Sequence, residues 1–426
     1  MELLIKNGLV VSPEDGLNAR ADIYVKDGKI AEIGENLNIS GALAIDAQGL
    51  AVFPGLVDMH AHFREPGYEY KEDILSGSRA AAAGGYTSVC CMPNTKPVAD
   101  NAAVVQYIIN KAKEAPCHVY PIAAITKNQE GRELTEMGEL LEYGAVAFSD
   151  DGRPVESSRM MRLAMQYLKG LDKGFVISHC EDISLTDGGV MNEGSQSTLL
   201  GLKGAPGAAE ALMVAREALL AEMLGVHVHI AHVSCAQSVN IIRDFKARNV
   251  KITCETCPHY ICACDEDVNF TDANTKVNPP LRSREDVEAI KQALCEGVID
   301  CIATDHAPHH ADEKNVEFNL AASGISGLET SFALCYTQLV RGGLMDLSRL
   351  IGLMSAAPAK IAGLKAGRLR LGMPADITIA DLEQPFIIDT AKFKSKGKNN
   401  PFNAREVYGK IKYTLLEGKI VYKSEN

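Results

Sequence analysis

The sequence predicts an α/β protein, a (β/α)8 barrel of the TIM type with a small β-sandwich domain made from both ends of the chain. Three observations support this prediction. In the middle of the chain, apolar β-rich runs alternate with helical segments about every 25 to 50 residues, which is typical of repeated βα units. Both ends instead contain short strands separated by tight turns. Histidines and aspartates gather where the predicted central strands end, the rim on which barrel enzymes build their sites.

The two chain ends predict the small domain. Short strands are expected at 3–5, 9–11, 22–25, 30–33 and 44–46, and again at 377–379, 413–416 and 419–422. Asp27-Gly28 and Glu417-Gly418 are typical turn sequences between such strands. The predicted domains are therefore 1–52 and 366–426 for the two parts of the sandwich, and 53–365 for the barrel.

The barrel needs eight strands, and eight apolar runs fit. These runs lie at 55–62, 87–94, 119–126, 145–151, 175–181, 228–234, 251–259 and 300–306. Helices predicted at 74–83, 208–224 and 284–296 are each followed by glycine, the usual helix stop. The basic stretch 392–400 is typical of a solvated loop. We expect 306–315 to form part of a mobile lid, with an ordinary ordered rim loop as the alternative.

Composition and charge exclude several classes of protein. The net charge is -12 at pH 7, whereas a protein that holds nucleic acid needs clustered lysine and arginine. No run of about 18 apolar residues occurs, and the N-terminus lacks the pattern of a signal peptide. We therefore expect a cytoplasmic protein with neither a nucleic-acid nor a membrane partner.

Most of the 12 cysteines lie in apolar runs, where reduced cysteine behaves as a small hydrophobic residue, so no disulfide framework is predicted. One cluster, Cys254, Cys257, Cys262 and Cys264, has a CxxC and CxC spacing that could hold a tetrahedral zinc ion. The favoured interpretation is that these side chains are reduced and packed on, or just beyond, a buried strand.

Six of the 11 histidines fall at or near the ends of predicted strands: His60, His62, His179, His232, His259 and His306. His60 and His62, two residues apart on a strand, project to one side, as two ligands of one metal require. Asp150-Asp151 and Asp305 end two other strands, where a buried carboxylate must be paired, hydrogen-bonded or metal-bound. A structural cap is the alternative for Asp305. Four imidazoles and two carboxylates suit one or two Zn2+ ions, or a similar divalent ion.

Five motifs carry a family resemblance. They are DMHAHFREPG at 58–67, MPNT at 92–95, HCED at 179–182, VNPPLR at 277–282 and ATDHAPH at 303–309. Together with the split sandwich, they resemble the amidohydrolase superfamily and, within it, the bacterial type I dihydroorotases, over nearly the whole chain. The fourth strand ends in AFSDD at 147–151. It lacks the lysine that is carboxylated in hydantoinases, allantoinases and other dihydroorotase types, which favours type I.

The resemblance implies a role for each matching residue. The metal ligands would be His60, His62, Asp151, His179, His232 and Asp305, with Asp151 rather than Asp150 at the shared position. The substrate contacts would be His62, Arg64, Asn94, Asn278, His309, Ser323 and Gly324. A salt bridge to Glu65 or Glu69 is the structural alternative for Arg64. At 322–323 the chain has Ala-Ser where the family commonly has proline and a larger residue.

The implied activity is reversible hydrolysis of (S)-dihydroorotate to N-carbamoyl-L-aspartate in de novo pyrimidine biosynthesis. A metal-bound hydroxide would attack the cyclic amide, with Asp305 as general base and then general acid. Three alternatives remain open: an allantoinase or hydantoinase, a non-catalytic partner of aspartate transcarbamoylase, and a metal-free binding module. The protein assemblies that remain possible are a homodimer and a complex with aspartate transcarbamoylase.

Overall fold

Parallel strands surround a central axis in the middle of the chain, in a computed structural model that describes residues 2–425. One group of three neighbours is Leu56–Ala61, Tyr86–Cys91 and His118–Pro121. A second group of four is Val176–Ser178, Val228–Ile230, Ile252–Thr256 and Cys301–Ile302. Each strand begins within, or one residue before, a run that the sequence predicted.

Single β-bridges join the two groups into a ring. Phe148 pairs in parallel with Ala123 on one side and with Val176 on the other, and so fills the fourth position. Ala61 pairs with His306 and closes the ring between the first and eighth positions. The predicted eight-stranded barrel is confirmed, with the difference that its fourth strand is reduced to a bridge at Phe148.

Helices lie between the barrel strands and after the last of them. Their bounds are Ile74–Ala83, Ala102–Ala112, Met137–Glu142, Ser158–Leu171, Ile183–Thr186, Ser195–Leu200, Gly207–Leu224, Ala236–Ala247, Pro258–Cys262, Arg284–Glu296, Ala311–Lys314, Ser331–Cys335, Leu347–Ile351 and Ala357–Ile361. The three helices predicted by residue range are present, and Gly225 and Gly297 adopt left-handed φ values of 68° and 79° just past two of them. Within residues 2–425, none of the helices is long and apolar enough to cross a membrane.

Both chain ends contribute to one eight-stranded sheet. Its strands are Glu2–Ser12, Leu17–Lys26, Lys29–Gly34, Leu43–Asp46, Ala51–Pro54, Ile377–Asp381, Lys410–Leu416 and Lys419–Lys423. The two strands predicted at 3–5 and 9–11 form one strand, because an irregular register between Ile5 and Gly8 lets it continue. Its apolar side packs around Leu3, Ile377 and Leu415. The domain boundaries stay a prediction.

Two rim segments pack against each other beside the barrel mouth. The stretch 392–400 was expected to be solvated, and this is wrong for Ser395, Asn399 and Asn400, which are buried. The Asn399 side chain accepts a hydrogen bond from the amide of His309 (3.0 Å) and donates to the carbonyl oxygen of Ala307 (3.0 Å). A distant loop therefore holds the segment that follows the eighth strand.

Candidate active site

Six side chains predicted as metal ligands lie together at the carboxyl ends of the barrel strands: His60, His62, Asp151, His179, His232 and Asp305. All six are buried. His232 and Asp305 have left-handed backbone conformations, with φ of 36° and 46°. Such conformations cost about 1 to 3 kcal/mol in residues other than glycine and concentrate at functional sites.

Asp151 lies between two pairs of histidines. Its Oδ2 is 3.4 Å from Nε2 of His60 and 3.4 Å from Nε2 of His62. Its Oδ1 is 3.5 Å from Nδ1 of His179 and 3.4 Å from Nε2 of His232. Oδ1 of Asp305 also lies 3.4 Å from His60 and 3.2 Å from His62. Each oxygen of Asp151 thus faces its own nitrogen pair, which is the arrangement needed to bridge two cations.

Two buried atoms of this cluster, Nε2 of His60 and Oδ1 of Asp151, have no hydrogen-bond partner among residues 2–425. Buried polar atoms are nearly always satisfied, so these two point to a group that the protein chain does not provide. Burial raises the pKa of Asp151, yet His60, His179 and His232 hold this pKa well below its ordinary value. Anionic carboxylates beside imidazole nitrogens fit a divalent cation.

The imidazoles show the same electrostatic balance. Burial disfavours charge on His60, but Asp151 and Asp305 hold its pKa well above the ordinary value. The pKa of His179 is raised to about 10, because Asp151 and Glu181 outweigh its burial. Without a cation these imidazoles would bind protons, which metal binding would displace.

The adjacent Asp150 has different neighbours. It accepts hydrogen bonds from the amides of Ile125 (2.8 Å) and Thr126 (3.1 Å) and from the Thr126 hydroxyl (2.5 Å). Its carboxylate therefore ties the end of the fourth barrel position to the third, whereas Asp151 faces the histidines. This placement supports the choice of Asp151 over Asp150, which stays a prediction.

Arg64 lies half-buried at the other side of the same cavity, with φ of 64°. Its Nε donates to the carbonyl oxygen of Pro308 (3.3 Å), and an Nη lies 3.4 Å from Nε2 of His309. Within residues 2–425 it forms no ion pair. Glu65 instead accepts from the amide of Ile74 (2.9 Å), and Glu69 accepts from the amide of Gly67. The guanidinium is thus left with unmatched charge beside the cavity.

The cavity has a volume of about 450 Å³. All seven predicted substrate residues line it: His62, Arg64, Asn94, Asn278, His309, Ser323 and Gly324. Asn94 accepts from Nδ1 of His62 (2.8 Å), and so also orients a candidate ligand. Gly324 has φ of 144°, and a Cβ there would lie 2.6 Å from Ala307, so this position requires glycine. The contacts of these residues with substrate stay predictions.

Known proteins with similar sequences show the family. The sequence profile of the dihydro-orotase-like family matches residues 49–238. The dihydroorotase of Acetivibrio thermocellus is 55% identical over 424 residues, covering 99% of both chains. That of Citrifermentans bemidjiense is 55% identical over 426 residues, covering 100% of both. The chain belongs to the dihydroorotase family. The predicted resemblance is therefore confirmed, and the chain is a cyclic amide hydrolase by family.

Solved structures show the fold of this dihydroorotase family member. A D-hydantoinase matches with a TM-score of 0.87 and 26% identity, over 99% of this chain and 95% of its own. The L-hydantoinase of Arthrobacter aurescens matches with a TM-score of 0.89 and 26% identity, over 100% of this chain and 96% of its own. Sequence identity to the dihydroorotases is twice as high as to these hydantoinases.

Two carboxylates were missed by the sequence reasoning. Glu255, fully buried on the strand Ile252–Thr256, is 2.7 Å from Nδ1 of His60 and 3.2 Å from Nε2 of His229. Glu181 is 2.9 Å from Nε2 of His179 and accepts from Nδ2 of Asn278 (3.0 Å). Histidines hold the pKa of each carboxyl down at about 2, despite burial. Both therefore orient candidate metal ligands through the other ring nitrogen.

Other sequence candidates lie outside this cluster or beside it. His306 contacts Glu72 at 3.4 Å, away from the histidine pairs. His259 is buried, and it forms a compact group with Cys257 and Asp305 next to the cluster. Among residues 2–425, the four-cysteine set does not appear as a metal-binding group, and Cys254, Cys257, Cys262 and Cys264 are all free thiols. Cys254, Cys257 and Cys264 are buried and Cys262 is partly buried, and the absence of a zinc ion on this set stays a prediction.

Proposed function

We propose that this chain reversibly hydrolyses (S)-dihydroorotate to N-carbamoyl-L-aspartate. One observation carries the proposal: a single cavity joins the histidine and aspartate cluster to the unpaired guanidinium of Arg64. Dihydroorotate has a cyclic amide to be hydrolysed and a carboxylate to be bound, so it matches both sides of this cavity. A neutral hydantoin or allantoin ring matches the first side only.

The proposed cofactor is zinc, with two ions per chain. One ion would be held by His60, His62 and Asp305, and the other by His179 and His232. Asp151 would be a ligand of both. The facing oxygens of Asp151 and the two unpartnered atoms support this assignment. When bound, such ions provide a water nucleophile that is active near neutral pH and polarise the amide carbonyl.

Asp305 is the proposed proton carrier. Its Oδ1 lies 3.2 Å from Nε2 of His62, and its side chain lines the cavity where the amide would bind. Burial disfavours charge on Asp305, but His60 and His62 hold its pKa below the ordinary value, so the group is an ionised carboxylate. It would take a proton from the attacking water and return it to the ring nitrogen as the amide bond breaks.

Arg64, Asn94, Asn278 and His309 are the proposed residues that bind the substrate carboxylate and ring. A guanidinium can bind a carboxylate through two parallel hydrogen bonds, and within residues 2–425 no carboxylate forms an ion pair with Arg64. Ser323 and Gly324 would form the adjacent wall. A homodimer, a complex with aspartate transcarbamoylase and a cytoplasmic location stay predictions from the sequence.

Turnover of dihydroorotate, allantoin and hydantoin by the zinc-loaded protein tests the proposal, together with the metal content per chain. Among these three compounds, we expect turnover of dihydroorotate only. Asp305→Asn should abolish turnover while keeping dihydroorotate binding, and Asp312→Asn, at a largely exposed carboxylate in the following segment, is the matched control. Preferred turnover of allantoin or hydantoin would contradict the assignment.

A further inference from the structure

Lys314 is a buried lysine that ends the short helix Ala311–Lys314, after the eighth barrel strand. Its Nζ donates to three main-chain carbonyl oxygens, those of Ala322 (2.8 Å), Gly324 (3.2 Å) and Lys276 (3.4 Å). Within residues 2–425 it forms no ion pair with a carboxylate. An ammonium group has three donors, and here each donor has a carbonyl acceptor.

Two of these carbonyls, those of Ala322 and Gly324, belong to the turn that carries two cavity-lining residues, Ser323 and Gly324. The carbonyl oxygen between them, that of Ser323, lies 2.9 Å from Nε2 of His309. The Gly324 amide donates to the carbonyl oxygen of Lys276 (2.9 Å), which itself accepts from Lys314. Lys314 therefore joins the turn to the segment that precedes Asn278.

The contact with Ser323 also fixes the hydrogen on His309. A carbonyl oxygen can only accept, so Nε2 must carry the hydrogen and cannot at the same time accept one from Arg64. The Arg64 Nη groups then keep their donors for a ligand in the cavity. The position of the Ser323 carbonyl therefore affects both side chains.

A buried ammonium is unfavourable without acceptors. Burial, with a smaller contribution from nearby Lys276, lowers the pKa of Lys314 to about 7. Without Lys314, the carbonyls of Ala322, Gly324 and Lys276 would converge on one another and lose a shared donor. The lysine thus stabilises the turn geometry, together with Asn399, whose Nδ2 donates to the carbonyl oxygen of Gly324 (2.9 Å).

We propose that Lys314 is a positioning residue for substrate binding, whose ammonium holds the Ser323–Gly324 turn and, through the Ser323 carbonyl, the His309 ring beside Arg64. This rests on the proposed function, because the affected residues are those that would bind the substrate carboxylate. The candidate metal ligands lie at the carboxyl ends of the barrel strands, whereas the side-chain contacts of Lys314 are with this turn and with Lys276. Loss of Lys314 therefore weakens substrate binding more than it slows the chemical step.

Lys314→Met tests this, since methionine keeps the length and removes the charge. We expect KM for dihydroorotate to rise about tenfold or more while kcat changes less than about threefold and zinc content is unchanged. Hydrogen exchange at the Gly324 amide should accelerate about tenfold or more. The matched control is Lys246→Met, a half-buried lysine that donates to the carbonyl oxygen of Val298 (2.8 Å) away from the cavity. It should leave KM and Gly324 exchange unchanged.

A KM within about twofold of the unsubstituted protein would overturn the proposal, as would a lower kcat caused by zinc loss. If Lys314→Met does not fold, Lys314→Arg is the second variant. Arginine keeps the charge, but its planar guanidinium cannot donate to all three carbonyl oxygens in the same way. An unchanged KM in Lys314→Arg would equally overturn the proposal. If the unsubstituted protein does not turn over dihydroorotate, the proposed function fails by itself. In that case, hydrogen exchange at the Gly324 amide in the Lys314 variants tests the positioning role by itself, and unchanged exchange refutes that role.

Discussion

Glu255→Gln should weaken zinc binding although Glu255 is not itself a candidate ligand. The carboxylate lies 2.7 Å from Nδ1 of His60, within the range of charge-assisted hydrogen bonds, and its other oxygen lies 3.2 Å from His229. Its anionic charge makes the other ring nitrogen of His60 a better electron donor to a metal. Glutamine keeps the shape and one acceptor but removes this charge.

The expected loss is about tenfold in zinc affinity, or about 1.4 kcal/mol. This is the lower end of the usual range for such partners, which extends to about 100-fold. We choose the lower end because the glutamine carbonyl can still accept from His60 Nδ1 and keep the ring in place. Removal of the acceptor as well, as in Glu255→Leu, should cost more, since Nδ1 would then be buried without a partner.

Zinc titration of the metal-free protein against a competing chelator measures this affinity. Glu217→Gln is the matched control, because Glu217 is also fully buried and accepts from a hydroxyl, that of Ser178 (3.1 Å), but contacts no candidate ligand side chain. It should lower thermal stability and leave the zinc Kd unchanged. If Glu255→Gln binds zinc as tightly as the unsubstituted protein, His60 does not depend on this carboxylate.

Three other predictions concern separate features. Arg64→Ala should lower kcat/KM, mainly by raising KM, by an amount that corresponds to about 2 to 4 kcal/mol of transition-state stabilisation, and Arg64→Lys should not restore it. An unchanged KM in steady-state assays would mean that Arg64 has a structural role. Replacing Cys262 and Cys264 by serine should leave zinc content unchanged in metal analysis, whereas loss of one equivalent would indicate a four-cysteine site. His118 lies 3.1 Å from Asp376, and this contact raises the pKa of His118 above its usual 6.5. The free energy of folding that this pair contributes is therefore present below about pH 6.5 and is lost as the pH rises through the raised pKa. The Tm loss of His118→Gln should therefore be larger at about pH 5.5 than at about pH 9, and equal losses would refute the pairing.

The barrel was predictable because its signals are local. Apolar runs mark the strands, and glycines such as Gly225 and Gly297 stop the helices where they were expected. The fourth strand was predicted over seven residues, but its β-bridges are confined to Phe148, with further backbone hydrogen bonds from Val146 and Ser149 to the third position. Beyond Ser149 the ladder stops, and the Asp150 side chain instead accepts from the amides at 125–126. Competition from a side chain for backbone donors is invisible in an apolar pattern.

The candidate site was predictable where residues end strands, and not where they lie inside one or come from a distant loop. Glu255 lies in the apolar strand Ile252–Thr256, and a buried charge in such a strand must have a partner, which is a signal that could have been used. Asn399 gave no such signal. Its polar neighbours predicted solvent exposure, and its contacts with His309 and Gly324 arise only from the tertiary fold.

The two sides of the cavity offer different binding partners, and this limits how a substrate can bind. Asp151 and Asp305 lie on the candidate metal side, whereas Arg64 and Lys276 line the cavity without a carboxylate partner among residues 2–425. A ring that carries both an amide and a carboxylate can place the carboxylate at Arg64 only if the amide faces the metal side. The reverse orientation would leave the charge of Arg64 uncompensated and would hold the amide away from the metal side. A neutral ring also leaves that charge uncompensated, so the arginine that we propose to bind the substrate also disfavours hydantoin and allantoin.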